Sequence, residues 1–583
     1  MSVDNHEIVK ALQLYASLAE LHEENPFKYK AFASGAFNLR KIKEPLSDLQ
    51  ESQLLLIPGV GKSVAKAIVE YSVSRQFPAL EDLLAVTPTG LIAMLGVKGL
   101  GPKKVRLIWQ ELGIDTVEDL FDACRQNRLV EVSGFGYKTQ QTIMAAIEFS
   151  YGARGKFHLA RVMPYAESFL AGMRLVFGDE RHEFTGDYYR KSDVIDRLVL
   201  LTTAMEMSGI SSAEWDEVAA AGGDNSVEFA SDIDPGVVRN QSSIDPFEGW
   251  SMDEASGVLR HEQGFVMEIE VVMHADFDRK LFEGGAAARH LELLEYTASD
   301  WKGNDRETYA SKGVGFVVPS RREGHREMER PVEEASLLKY ADIKGVLHNH
   351  TTYSDGLNSV EEMALYAMEI GMEYLGICDH SKTAGYARGL QVERVLQQFE
   401  EIDNLNQQLW PFKIFKGIES DILGNGDLDY EPEILGRFDM IVASVHSNLN
   451  MTQDKAMDRL LRAIENPYTT ILGHPTGRLL LMREGYPIDH HKVIDACAAN
   501  GVALELNAHP YRLDIDWRYI DYAMEKGVMV SVNPDAHEKM GYLDMHFGVL
   551  SGQKGGLQTS QTLNALNLVE FEAYLANRKK GNR

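Results

Sequence analysis

The stretches GVLHNHTTYSDG (Gly345–Gly356) and VMVSVNPDAH (Val528–His537) decide the fold of the C-terminal part of this chain. Each is an apolar, strand-like run that ends in histidine and carboxylate side chains. Between them YLGICDH, KIFKGIES, MIVASVHS, TTILGHP and VALELNA repeat the form, and helically spaced runs such as VEEMALYAMEIG and KAMDRLLRAIEN intervene. Buried strands alternating with helices predict a parallel sheet, and about seven such units in roughly 240 residues predict a barrel rather than an open sheet.

The strand ends carry the chemistry. His348 and His350 close the first strand, and Asp355 follows in its loop. His380, Glu419, His446 and His474 close the next four, and Asp535 and His537 close the last. Strand C-termini converge on one mouth of an α/β barrel, and residues two apart on a strand share a face. The spacing therefore predicts nine convergent imidazole and carboxylate ligands with no thiolate, a donor set suited to Zn²⁺, Mn²⁺ or Fe²⁺. Nine donors exceed the needs of one ion, so two or three divalent metals are expected, with Glu419 as a bridging carboxylate. His490, His491 and His509 hold no comparable position and read as packing or surface residues.

Upstream the pattern changes. Residues 1–150 read as helical, and LIPGVGKSVAKAI (Leu56–Ile68), VKGLGPKKVRLI (Val97–Ile108) and VSGFGYKTQQTI (Val132–Ile143) repeat one unit. Each sets a Gly-x-Gly turn before a helix: Gly59 and Gly61 with Lys62, Gly99 and Gly101 with Lys103 and Lys104, Gly134 and Gly136 with Lys138. Glycine lets the backbone approach a phosphate, and the free N–H groups of a helix start receive it. Three copies with basic residues predict DNA binding through the backbone, without strong sequence preference. Residues 151–320 read as an α+β unit with an antiparallel sheet, and the charged run PSRREGHREMERPVEEASLL (Pro319–Leu338) as a connector. The expected divisions are 1–80, 81–150, 151–320, a linker at 321–340, and 341–583.

Composition sets the outer bounds. The 583 residues carry a net charge of -28, but unevenly: residues 1–150 hold 16 basic and 18 acidic side chains, the remainder 43 and 69. The near-neutral front quarter thus remains compatible with DNA. Three dispersed cysteines exclude a disulfide framework and a CxxC metal knuckle. No apolar run reaches the roughly 18 residues of a membrane span, so no membrane association, a cytoplasmic location and a monomer are the expectations.

HNHTTYSDG, DHS, GIESDI, SVHS, GHPTGRLLL and NPDAH resemble the PHP (polymerase and histidinol phosphatase) metallo-hydrolases. That resemblance implies a distorted seven-stranded barrel with a trinuclear metal centre on the nine residues named, and Lys382, Arg388, Arg478 and Arg483 are candidate phosphate clamps. The three Gly-x-Gly units resemble helix–hairpin–helix motifs. Their order before an α+β region and a PHP barrel resembles the bacterial family X DNA polymerases over nearly the full chain, NPFKYKAF (Asn25–Phe32) included. The resemblance implies a 3′→5′ exonuclease, with abasic-site endonuclease or 3′-phosphatase action as further expectations. It also implies a polymerase palm at TGDYYRKSDVIDRLVLL (Thr185–Leu201), where the family carries Gly-Ser and Asp-x-Asp. Here Asp187 follows Gly186, the paired aspartates fall on Arg197 and Val199, and only Glu268 stands for a third carboxylate. Two-metal phosphoryl transfer needs those carboxylates. A degenerate palm is therefore expected. An active gap-filling polymerase with proofreading, and a phosphatase acting on small esters of the histidinol phosphate kind, are the alternative readings.

Overall fold

In the computed structural model the described residues are 3–125, 129–152, 155–207, 215, 218, 246–253, 257–481 and 483–581. The chain forms two compact units, residues 1–154 and 155–583.

The first unit is helical and contains two cores. Ile8, Leu12, Tyr15, Leu18, Phe32, Leu39, Val64, Ile68 and Leu83 belong to one; Leu91, Met94, Val105, Ile108, Leu120 and Ile143 to the other. Helices at Asn5–Leu21, Lys62–Ser74 and Pro102–Leu112 show why the sequence reads so regularly: their buried positions recur every three or four residues.

The second unit opens with a two-stranded ribbon, β1 (Phe157–His158) against β3 (Val194–Ile195), and a five-stranded sheet. The sheet contains β2 (His182–Thr185), β4 (Leu198–Thr202), β5 (Trp250–Asp253), β6 (Val258–His261) and β7 (Val266–Val271), in the order β2-β4-β7-β6-β5. It is mixed rather than antiparallel, because β4 and β7 run parallel. The helix Leu159–Phe177 supplies Val162, Phe169 and Met173 to the core under it.

The barrel follows: β8 (Gly345–Val346), β9 (Tyr374–Ile377), β10 (Lys413–Asp421), β11 (Met440–Ser444), β12 (Ile471–Leu472), β13 (Ala503–Asn507) and β14 (Val530–Asn533). All neighbours are parallel and the strand order is sequential. β8 and β14 do not pair directly. A single bridge, Asn349 to Ala536, joins their extensions at the mouth. Deeper down Asn564 fills the seam, donating to Gly345 O (3.0 Å) and accepting from Val532 N (2.8 Å). The barrel is thus nearly closed. Strand interiors are buried without alternation, as parallel strands covered on both faces must be.

The charged run at 319–338 does not behave as a solvated linker. Arg322 is fully buried and pairs with Asp305 at 2.5 Å; Arg326 reaches Asp521 at 3.0 Å; Glu323 bonds both Arg190 (3.1 Å) and Lys554. Leu513 and Phe547 of the barrel lie in the same core as the mixed sheet. The expected boundaries at 320 and 340 therefore fall inside one compact unit: the composition is charged because the charges pair with one another.

Candidate metal centre and nucleic-acid interface

Glu419, near the end of β10 and 1% exposed, is the hub of the barrel mouth. Its Oε1 lies 3.0 Å from Nε2 of both His446 and His474 and 3.3 Å from His348 Nε2. Its Oε2 lies 3.0 Å from His380 Nδ1 and 3.6 Å from His350 Nε2. Asp535 Oδ1 is 3.0 Å from His350 Nε2 and 3.6 Å from His348 Nε2. Asp355 Oδ1 is 3.6 Å from His380 Nε2 and 3.4 Å from His537 Nε2. All nine predicted side chains thus meet at one mouth. Three groups of described residues bring their ligand atoms within 4.8 Å of one another: His350, Asp355, His380 and His537; His348, His350 and Asp535; His380, Glu419 and His446.

The local route to this mouth differs from simple strand alternation. β8 ends at Val346, and His348 and His350 sit on its extension, held by the bond from His350 N to Ala536 O (2.8 Å). β14 ends at Asn533, and Asp535 takes a left-handed backbone, φ +52°. The same-face argument therefore fails for Asp535 and His537, which a turn rather than a pleat places. A left-handed aspartate costs on the order of 1–3 kcal/mol, the kind of strain that surrounding structure holds in place at functional sites.

Electrostatics shows what the cluster lacks. Burial would raise the carboxyl of Glu419, but His446, His348 and His380 hold it well below the usual range. Asp535 is likewise held well below, against burial, by His348 and His350. Burial opposes charge on His446, yet Glu419 and Asp421 push it up to about 10. Asp355, despite burial, is held down to about 2 by His537. The cluster demands positive charge at its centre. His348 shows this best: its Nδ1 bonds Glu505 Oε2 at 2.7 Å, its Nε2 faces the carboxylates of Glu419 and Asp535, and against burial those acids push the imidazole well above its ordinary value. His348 Nε2, His350 Nδ1 and Glu419 Oε2 are buried and make no hydrogen bond within the chain. Acceptors facing acceptors in a buried site fit divalent cations. Cys378 is no competing ligand, because its thiol, pushed up by burial, bonds Leu347 O at 3.3 Å.

Three supporting acids escaped the sequence reading. Glu505, fully buried on β13, also accepts from Asn533 Nδ2 (3.0 Å) and Asn507 Nδ2 (3.1 Å). Asp421 accepts from His446 Nδ1 and from Thr383 Oγ1 (2.8 Å). Asp379 clamps the 351–354 loop through Thr351 N (2.8 Å) and Ser354 N (3.1 Å). The available signal was an acid at an inward position of an otherwise apolar strand, as in VALELNA. Such partners typically contribute about 10–100-fold to affinity or activity. Glu505→Gln should therefore lower affinity for a divalent ion about 10–100-fold in a metal titration.

The four phosphate-clamp candidates separate. Lys382 is half-buried over the Tyr430 ring and Arg388 is exposed. Arg483 donates to Gly477 O at 2.8 and 3.1 Å. Arg478 is corrected to a structural residue. Its guanidinium is consumed by Asp516 (2.7 Å), Arg512 O (2.9 Å) and Leu513 O. Sequence cannot tell such an arginine from a phosphate ligand, because its partners come from a loop more than thirty residues away.

In the helical unit the three Gly-x-Gly turns share one geometry. Val60 N, Leu100 N and Phe135 N close the turns onto Ile57 O, Val97 O and Val132 O at 3.0, 3.0 and 3.1 Å. Gly59, Gly99 and Gly134 have φ of +83°, +93° and +91°, so the turn itself requires glycine there. Gly61, Gly101 and Gly136 are different: a Cβ at any of them would meet nothing within 4 Å. Packing within the chain does not need them bare, and Gly61 and Gly101 serve as helix N-caps. Lys62, Lys103 and Lys138 are exposed beside them, whereas Lys104 folds back to donate to Gly99 O at 3.1 Å.

In the mixed sheet, Val199 on β4 pairs with Glu268 on β7, and Arg197 bonds Glu268 Oε1 at 2.9 Å. Asp187 bonds Arg190, which also holds Glu323. Asp193 lies 4.0 Å from Arg478 and Asp196 is exposed, so those two do not form a carboxylate pair either.

Comparison with known proteins agrees with this geometry. Residues 3–76 match the helix-hairpin-helix domain family, residues 91–148 the SAM-like helix-hairpin-helix tandem, and residues 347–509 the PHP domain. The DNA polymerase/3′-5′ exonuclease PolX of Bacillus subtilis (strain 168) is 32% identical, covering 98% of this chain and 99% of its own. A probable phosphatase of Acetivibrio thermocellus is 27% identical, covering 40% of this chain and 95% of its own. A histidinol phosphate phosphatase structure from Lactococcus lactis, complexed with zinc, L-histidinol and phosphate, is 18% identical. It covers 37% of this chain and 94% of that one at a TM-score of 0.30, too low to carry an argument. With both helix–hairpin–helix regions, a mixed α/β middle and a metal-ligand barrel in one order, and a relative matched end to end, this chain belongs to the bacterial family X DNA polymerases that carry a C-terminal PHP domain.

Proposed function

We propose that this protein is a metal-dependent 3′→5′ exonuclease acting in DNA repair, and that its palm no longer polymerises. The observation that carries the hydrolytic half is the carboxylate of Glu419 inside a shell of five imidazoles. His348, His350, Asp355, His380, Glu419, His446, His474, Asp535 and His537 would hold two or three divalent ions. Such ions supply an activated water and neutralise charge developing on a phosphodiester. The chain's own contribution is to fix the donors: Glu505 sets the tautomer of His348, Asp421 that of His446, and Asp379 the loop that carries Asp355. Cytoplasmic action on DNA ends accords with this reading.

Arg197 supports the loss of polymerisation. A guanidinium occupies one expected metal-ligand position and pairs with Glu268, the remaining carboxylate. Glu268 is thus engaged by a cation, and Val199 offers no ligand at all. Primer extension with each dNTP and Mg²⁺ or Mn²⁺ should give no incorporation above background on a gapped duplex. Robust extension would return the palm to activity.

The helix–hairpin–helix turns would deliver the DNA. Replacing Lys62, Lys103 and Lys138 together by alanine should weaken duplex binding and reduce the slope of log K against log salt by roughly 2–3, at about 0.9 for each phosphate no longer neutralised. Titrations at several salt concentrations read this directly.

A further inference from the structure

Two loops beside the metal cluster form a single wall. One follows His474 and folds into a hairpin, with Leu479 and Arg483 exchanging backbone bonds of 2.8 Å. The other follows Asn507, whose side chain donates to Asp535 Oδ2 at 3.1 Å. Leu480 N bonds Tyr511 O at 2.7 Å and Arg478 Nε bonds Arg512 O at 2.9 Å. Asp514, fully buried, accepts from Thr476 N at 3.0 Å and Gly477 N at 2.9 Å. The wall is therefore stiff and begins at the metal ligands themselves.

Its outer surface carries groups that the fold leaves uncompensated. Tyr511 is 41% exposed although its ring packs against His158 at 4.2 Å. Arg512 has no carboxylate partner among the described residues, unlike Arg478 and Arg518, which share Asp516. Arg483 has two of its nitrogens on Gly477 O and stands in the field of Arg512, which adds to the effect of burial in disfavouring its charge. Asp514 partly offsets this, but it already accepts from Thr476 N and Gly477 N. In a chain of net charge -28, two neighbouring guanidiniums with no ion-paired carboxylate among the described residues are a site for an anion supplied from outside. An exposed aromatic ring next to such a site is the combination that binds single-stranded nucleic acid, base on ring and phosphate on guanidinium.

We propose that this wall is a single-strand subsite: Tyr511 stacks a base of the strand being degraded, and Arg512 with Arg483 holds a phosphate flanking it. The occupant is the unpaired 3′ end of DNA on its way to the metal cluster. The subsite rests on the nuclease reading above and names the side chains that would hold the strand beside the metal cluster.

The test uses the full-length, metal-loaded chain on two substrates, a 3′-labelled single-stranded oligonucleotide and bis(p-nitrophenyl) phosphate. Tyr511→Ala and Arg512→Gln should each raise KM for the oligonucleotide roughly 10-fold with kcat little changed, and leave hydrolysis of the small diester within about twofold. Tyr511→Trp should restore the oligonucleotide KM, because stacking needs a ring and not a hydroxyl. An unchanged oligonucleotide KM in both variants overturns the subsite, and so does an equal loss on both substrates, which would mark a purely structural role. A wild-type chain inert on both substrates refutes the nuclease reading itself, and the subsite with it.

Discussion

Glu419→Gln should reduce release of the 3′-terminal nucleotide by at least about 10³-fold while duplex affinity stays within about twofold. The magnitude follows from comparison with the supporting acids, whose loss typically costs about 10–100-fold. Glu419 is the group they support, and it lies within 3.0–3.6 Å of five imidazoles. The amide keeps the shape and removes the charge that holds His446 up near 10. Without that charge the remaining donors would bind fewer ions. On the proposed reading, affinity for DNA would reside elsewhere, in the turns at Gly59–Gly61, Gly99–Gly101 and Gly134–Gly136, so binding and turnover should separate. Steady-state cleavage with parallel equilibrium binding reads both, and a variant that keeps more than a tenth of wild-type turnover would remove Glu419 from the centre of the site.

The largest effect on stability is expected at Glu323→Ala, a loss of about 3–5 kcal/mol in the transition of the 155–583 unit. Glu323 lies between Arg190 and Lys554, which are 8% and 4% exposed, and among the described residues Lys554 donates besides only to Arg190 O (3.0 Å) and Ser320 O (3.4 Å). Removing the carboxylate leaves the buried Lys554 ammonium without its ion-paired acid, while Arg190 keeps Asp187, and the penalty for an uncompensated buried charge exceeds what the pair contributed. The pH dependence has a definite sign. Burial works against the Glu323 carboxylate, but Lys554 and Arg190 hold its pKa below the ordinary glutamate value. Its stabilisation is therefore full above about pH 4.3, the unfolded value, and is lost as pH falls through the folded pKa. The gap between wild type and Glu323→Ala in urea midpoint should shrink in acid. A gap under about 1 kcal/mol at neutral pH would mean that the network is solvated.

That network also joins the region of the mixed sheet to the barrel. That region's β1 residue His158 bonds Leu480 O at 3.0 Å and packs on Tyr511, and its core includes Leu513 and Phe547 from the barrel. The mixed sheet buttresses the same loops that flank the metal cluster.

The barrel and its ligands are legible in the sequence because strand-end histidines and acids mark a position that packing alone does not explain. His348, Glu419 and His474 are such residues: each follows a run of apolar side chains too short to be a helix. The supporting acids are not legible in the same way. Glu505 sits inside VALELNA, where an inward carboxylate is indistinguishable from an outward one until the neighbouring strands fix the register. Arg478 reads as a phosphate clamp for the opposite reason, since its acceptors are set by a loop distant in sequence. The charged run at 319–338 reads as a connector between domains because composition counts charges without showing that they pair. Asp535 reaches the mouth through a left-handed turn, which no alternation of side chains predicts.

Metal titration addresses the barrel mouth itself. The protein is stripped of metal, and Mn²⁺ is added back while release of the 3′-terminal nucleotide from a labelled gapped duplex is followed. The expected result is no activity without metal, then a cooperative rise requiring at least two ions per chain, absent in Asp535→Asn. Nucleotide release that is indifferent to stripping, or that never appears with Mn²⁺, Zn²⁺ or Fe²⁺, would contradict a metal-dependent nuclease built on these nine side chains.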